Sequence, residues 1–111
     1  MEIIENLQEN IQVVKLEGRL DAPNTQKTDD FFSQKVQNTD TSIVVNCEKL
    51  DYINSSGLRI FIMALKNMKK KDKKFVLCNL QENIKEVFHF SGFTNLFNVN
   101  FNFDAAIAEA K

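Results

Sequence analysis

An α/β fold built on a mixed sheet is what the order of apolar segments along this chain predicts. Two short apolar segments at the amino end read as a strand pair, and two later uninterrupted apolar runs read as buried strands. Amphipathic stretches with three- and four-residue spacing fall between and after them. A strand pair followed by strand and helix in alternation makes one mixed sheet of about five strands flanked by about four helices. The 111 residues suffice for a single domain, 1–111, with one hydrophobic core.

Ile3-Ile4 and Ile11-Gln12-Val13-Val14-Lys15-Leu16, separated by the polar Glu5 to Asn10, form a β-hairpin, and Gly18 and Asp21 close its second strand. From Pro23 to about Gln37 the pattern turns helical. Thr28, Phe32 and Val36 share one face of this helix, and Asp29 and Asp30 sit in an early turn where the helix dipole favours them. Ser42 to Cys47 is rich in β-branched residues, the mark of a central strand covered on both faces. Leu50 to Asn54 reads as a loop leading into a helix that starts near Ser55 or Ser56 and carries Leu58, Phe61, Ile62, Leu65 and Met68 as its apolar stripe. Lys69 to Lys74 ends that helix with cations at its negative pole, and Phe75 to Cys78 is the next buried strand. A helix over about Glu82 to Phe90 turns Ile84, Val87 and Phe88 inward and stops at a left-handed Gly92, with Phe93 folding back onto Phe88. A short strand near Leu96 to Val99 and a terminal helix from an N-cap at about Asp104 to Ala110 complete the order.

The charge balance, 14 Lys+Arg against 15 Asp+Glu, supplies no general field for nucleic acid or an anionic membrane, so neither is expected as a direct partner. Met1 to Glu5 lacks the basic start and apolar stretch of a secretion signal, and the longest apolar run, Ile60 to Leu65, is far short of a membrane span. A cytoplasmic location is the expectation. Cys47 and Cys78 lie in strand-like surroundings with no His-Cys ligand pattern and read as reduced core thiols without a metal, a disulfide being open only if their strands are neighbours. The lysine run lacks the interleaved aromatics of a single-strand nucleic-acid surface. His89, the one histidine, has no partner that would make it catalytic and reads as a half-buried helix residue. Phosphate-binding glycine loops and paired-carboxylate motifs are absent, so no cofactor and no enzymatic activity are expected.

The informative place is the helix start at Ser55 and Ser56. A helix leaves its first N–H groups without partners, and serine hydroxyls commonly cap them. The same unpaired donors and positive helix end also tolerate a phosphate, so a serine there serves equally as a charge switch on a binding surface. Spacing alone leaves both readings open.

Asp51-Tyr52-Ile53-Asn54-Ser55-Ser56-Gly57-Leu58, preceded by the buried Ile43-Val44-Val45 and followed by an apolar helix, resembles the signature of the anti-sigma-factor antagonists, the STAS domains. Gly18-Arg19-Leu20-Asp21-Ala22 is similar to that family's turn after its second strand, and the resemblance runs through the whole chain in order. It implies that Ser56, directly before the glycine, is phosphorylated by a partner that is both anti-sigma factor and serine protein kinase. The unphosphorylated form would bind that partner and free the sigma factor, the phosphorylated form would release it, and a serine phosphatase would restore binding. Many phosphorylated members carry Asp where this chain has Asn54, which keeps the turn-forming side chain and drops a negative charge beside the acceptor.

The resemblance places Asp21 on the rim with Ser56, as a partner contact or a turn-capping aspartate. Arg59 either pairs with a phosphate or acidic partner, or is simply solvated. Ile60 and Met63 lie about opposite the apolar stripe, as partner contacts or under a neighbouring helix. Gly57 would let a partner approach the backbone closely. The expected surface is therefore Asp21, Asn54, Ser55, Ser56, Gly57, Arg59, Ile60 and Met63. A second function keeps the fold: a non-phosphorylated STAS-like scaffold or transporter-associated regulatory subunit.

Overall fold

The computed structural model describes residues 1–111. The elements are β1 (Glu2–Gln8), β2 (Ile11–Leu20), a single 3-10 turn (Ala22–Asn24), α1 (Thr25–Asn38), β3 (Ile43–Asn46), β4 (Leu50–Ile53), α2 (Ser55–Lys70), β5 (Phe75–Cys78), α3 (Glu82–Phe90), β6 (Asn98–Asn100) and α4 (Phe103–Ala110). The sheet is mixed and its main order is β1-β2-β3-β5-β6, with β1 antiparallel to β2 and the other pairs parallel. β4 lies off this path, parallel to the end of β2. No helix is long and apolar enough to cross a membrane.

The hairpin is longer than its apolar pattern suggests. β1 runs on through the polar segment to Gln8, and only Glu9 and Asn10 turn, both with positive φ (51° and 66°). Two successive left-handed residues make the tight connection whose twist matches the strands it joins. β1 is an edge strand, which is why exposed polar side chains fit it.

Leu50–Ile53, expected as a loop, is the strand that raises the count from about five to six. β2 serves two partners along one edge: Gln12 to Lys15 pair with β3, and Gly18 to Leu20 pair with β4. At Gly18, φ is 110°, and the register steps from Gly18↔Leu50 to Arg19↔Tyr52, leaving Asp51 as an extra residue. Such a bulge resets the two-residue alternation, so Leu50 and Ile53 are both buried although three residues separate them.

Two cores lie on the two faces of the sheet. The larger, beneath α1, α2 and α3, is centred on Phe32, Phe61 and Phe75, whose rings meet edge to face at 5.8 to 6.3 Å. The smaller joins Ile11, Val13, Val44, Val76 and Cys78 to Ala106, Ile107 and Ala110 of α4. This second cover explains the unbroken apolar runs of β3 and β5. Cys47 packs in the first core and Cys78 in the second, on opposite faces of adjacent strands, so the geometry opposes a bridge between them. Burial raises both thiols, Cys78 to about 11 and Cys47 further.

Local details differ from expectation in four places. α1 begins at Thr25, so Asp29 and Asp30 fall beyond its first turn and outside the dipole's reach. α4 is capped by Asn102, which accepts from the Ala105 amide at 2.8 Å, and Asp104 sits inside the first turn. The last strand is β6, two residues later than read, because Phe97 turns inward ahead of it against Phe88. His89 is exposed, on the outer side of α3.

The lysine run at the end of α2 has structural work. Lys71 Nζ donates to the carbonyl of Val36 at 2.7 Å and to that of Thr39, closing the end of α1. Lys74 Nζ donates to the carbonyl of Glu109 at 2.7 Å, in the last turn of α4. Cations at helix C-termini satisfy orphan carbonyls and complement the dipole.

Two expectations follow. Lys71→Met keeps the aliphatic stem and removes the donors, so urea unfolding should show a loss of about 1–2 kcal/mol; an unchanged midpoint would mean the clamp contributes nothing. At about pH 8, where an ordinary thiol is partly ionised, the native protein should resist iodoacetamide at both cysteines, because raised pKa values deplete the reactive thiolate. Unfolding in concentrated guanidinium chloride should expose both to rapid alkylation, read by mass spectrometry.

Candidate functional site

The rim above the carboxyl ends of β2 and β4 is built from two chain crossings. Leu20 and Ile53 are register partners, and the Asn54 amide donates to the Leu20 carbonyl at 3.1 Å, tying the start of α2 to the end of β2. Asn54 has an extended backbone (φ −100°, ψ 179°), its Oδ1 accepts from the Gly57 amide at 2.8 Å, and its carbonyl accepts from Leu58. Asn54 is therefore the N-cap, and the serines are relieved of that task. Ser55 and Ser56 occupy the first two helical positions, both exposed, with amides that have no intrahelical acceptor.

On the other crossing, Asp21 ends β2 and starts the 3-10 turn. Its carboxylate accepts from Asn24 Nδ2 at 3.0 Å and Arg19 Nε at 3.3 Å, and its carbonyl from the Thr25 hydroxyl at 3.0 Å. The Arg19 guanidinium also lies over the Tyr52 ring, 4.3 Å from its centroid. Asp21 thus braces the turn through the Asn24 and Arg19 side chains, and its own side chain, 29% exposed, lies on the same rim as Asn54. Between α1 and α2 a cleft of about 180 Å³ is lined by Thr25, Asp29, Ser56, Arg59, Ile60 and Met63. Arg59 is exposed and forms none of the ion pairs of the structure.

Six of the expected residues, Asp21, Asn54, Ser55, Ser56, Arg59 and Met63, keep accessible surface on the rim or along this cleft, and Met63 is 50% exposed. Two do not present themselves to a partner. Ile60 is only 6% exposed, because α1 lays Phe32, Ser33 and Val36 beside it. Gly57 is buried: a Cβ there would stand 2.7 Å from Leu20 Cγ and 2.9 Å from Ile53 Cγ1. Its missing side chain serves the seating of α2 on the sheet and not a partner's approach. Arg19, Tyr52, Thr25 and Asp29 join the rim unforeseen; the first two meet only through the β2–β4 register, which no spacing in the sequence displays. No group of three His, Cys, Asp or Glu side chains converges anywhere in the structure.

The STAS domain profile matches residues 3–110. A Bordetella bronchiseptica protein named as an anti-sigma factor antagonist, BtrV, is 31% identical over 96 residues, 86% of this chain and 83% of its own. The anti-sigma-B factor antagonist of Staphylococcus aureus (strain NCTC 8325) is 28% identical over 93 residues, covering 84% and 86%. The anti-sigma factor antagonist SpoIIAA in its unphosphorylated form superposes over 97% of this chain and 95% of its own, with a TM-score of 0.81 at 21% identity. Its phosphorylated form, from Bacillus, covers 99% and 100% with a TM-score of 0.74 at 21% identity. At that identity the superpositions speak for the fold.

Gly57→Ala gives a test of sign. In a free helix alanine gains about 1 kcal/mol over glycine. Here the methyl group drives into Leu20 and Ile53, at an overpacking cost of about 1–3 kcal/mol. Thermal unfolding should show a lower Tm, and a higher one would refute the packing role.

Proposed function

The chain belongs to the STAS domain family, among the anti-sigma factor antagonists, and from that premise we propose a phosphorylation-controlled binding switch acting in the cytoplasm. Unphosphorylated, it binds an anti-sigma factor that is also a serine kinase and so frees a sigma factor. Phosphorylated at Ser56, it lets that partner go, and a serine phosphatase resets it. The observation that carries this reading is the exposed Ser56 at a helix start whose capping is done by Asn54.

The chemistry is supplied by the partner. The Ser56 hydroxyl oxygen forms a bond to the γ-phosphorus of ATP held by the kinase, the bond from that phosphorus to ADP breaks, and the hydroxyl proton passes to a base of the kinase. The product adds roughly −1.5 to −2 charges at neutral pH. At the start of α2 the unpaired amides of Ser55 and Ser56 and the positive helix end accommodate that charge without cost to the core. At an interface the same charge must be desolvated, and an unpaired buried charge costs several kcal/mol. The fold survives the modification and the complex does not.

The partner-facing surface in this reading is Asp21, Asn54, Ser55, Ser56, Arg59 and Met63, extended by Arg19 and Tyr52. Arg19 is held by the Tyr52 face and by Asp21, so little of its freedom is lost when a partner's carboxylate docks on it.

Incubation with the cognate kinase and ATP should place one phosphate on Ser56, located by mass spectrometry, and Ser56→Ala should abolish it. In binding assays Ser56→Ala should retain the partner and Ser56→Asp should weaken it by about tenfold or more. Undiminished binding of the aspartate variant together with an unmodified Ser56 would replace this reading by the non-phosphorylated scaffold or transporter-associated subunit.

A further inference from the structure

Arg59 is the one cation in the lining of the α1–α2 cleft, three residues after Ser56 on the same helix, and it makes no ion pair although Asp29 lines the cleft too. Residues three apart on a helix are neighbours, within reach of a guanidinium. Of the other charges of the rim, Asp21 is paired with Arg19, which is also stacked on Tyr52, and only Asp29 across the cleft is left without an ion pair. Asn54 adds none. Its Oδ1 is committed to the Gly57 amide, so its other amide atom is the NH2 donor; a turned-over amide would set N–H against N–H. A carboxylate at this position would cap equally well and would repel a phosphate two residues on.

We infer that Arg59 is the counter-ion of phosphorylated Ser56 and that the neutral cap Asn54 adds no charge against this pairing, so the domain holds the phosphate dianion on its own surface. The inference rests on the switch reading of Ser56 and adds a second arm to it. Phosphorylation then changes the surface twice: it adds charge at Ser56 and withdraws the Arg59 fork from a partner's reach. The charged groups that share the cleft with Ser56 are Arg59 from α2 and Asp29 from α1, and the Arg19–Asp21 pair stands at the end of β2 on the same rim.

The test uses the full chain with phosphoserine placed at position 56 during synthesis, so that no kinase is needed. Phosphorus NMR follows the second ionisation, near pH 6 for an unperturbed phosphoserine. Stabilising the dianion lowers this pKa, so Arg59→Gln should raise it by about 0.15–0.4 unit, and Asn54→Asp by a similar amount. The Arg59 side-chain Nε resonance should titrate together with the phosphate. Circular dichroism of both variants shows that the fold is retained, Asn54→Asp keeping its cap and Arg59 being exposed. An identical pKa in wild type and Arg59→Gln, with an Arg59 resonance indifferent to the phosphate, would overturn the inference. Failure of the switch reading looks different: it appears as an unmodified Ser56 in the kinase assay, whatever the titration shows.

Discussion

Between Gly18 and Arg19 the pairing of β2 with β4 slips by one residue, and the rim of the domain exists because of that slip. Without it the alternation of β4 would run unbroken, and Leu50 and Ile53, three residues apart, would face opposite sides of the sheet. With it, Leu50 and Ile53 both turn into the core, and Asn54 comes to rest against the Leu20 carbonyl. The starts of α1 and α2 are thereby carried side by side. Glycine at 18 is required by a φ of 110°, which costs other residues strain. Glycine at 57 is required by space, since Leu20 and Ile53 occupy the room a methyl group would take.

Capping and signalling are given to different side chains. The helix start needs an acceptor for its third amide, and Asn54 supplies it. Ser56, two residues on, has no structural duty, so its chemistry can change while the helix it stands on does not. This separation is what a reversible mark on a stable domain requires: the energy of the modification is expressed at the interface and not in the fold.

The sequence reveals those parts of the molecule whose cause is local. The apolar runs of β3 and β5, the stripe of α2 and the glycine stop after α3 are each visible within a dozen residues. The position of Ser56 at a helix start is equally local. What escapes is set by pairing between distant segments. Leu50 and Ile53 have a spacing that mimics a turn because a bulge, and not a loop, interrupts their alternation. Ile60 looks free on a helical wheel drawn against one sheet, but α1 packs on the flank such a wheel treats as open. Arg19 and Tyr52, 33 residues apart, meet only after the register is fixed.

The lysines that follow α2 carry a last consequence. Lys71 fastens the end of α1 and Lys74 the end of α4, so helices on opposite faces of the sheet are moored to a single turn. That turn lies where the parallel strands begin, the pole farthest from Ser56. Both outer layers are thus pinned at one pole, and the residues of the rim stand at the other. Side chains at the rim can therefore be exchanged without touching the moorings at the far end.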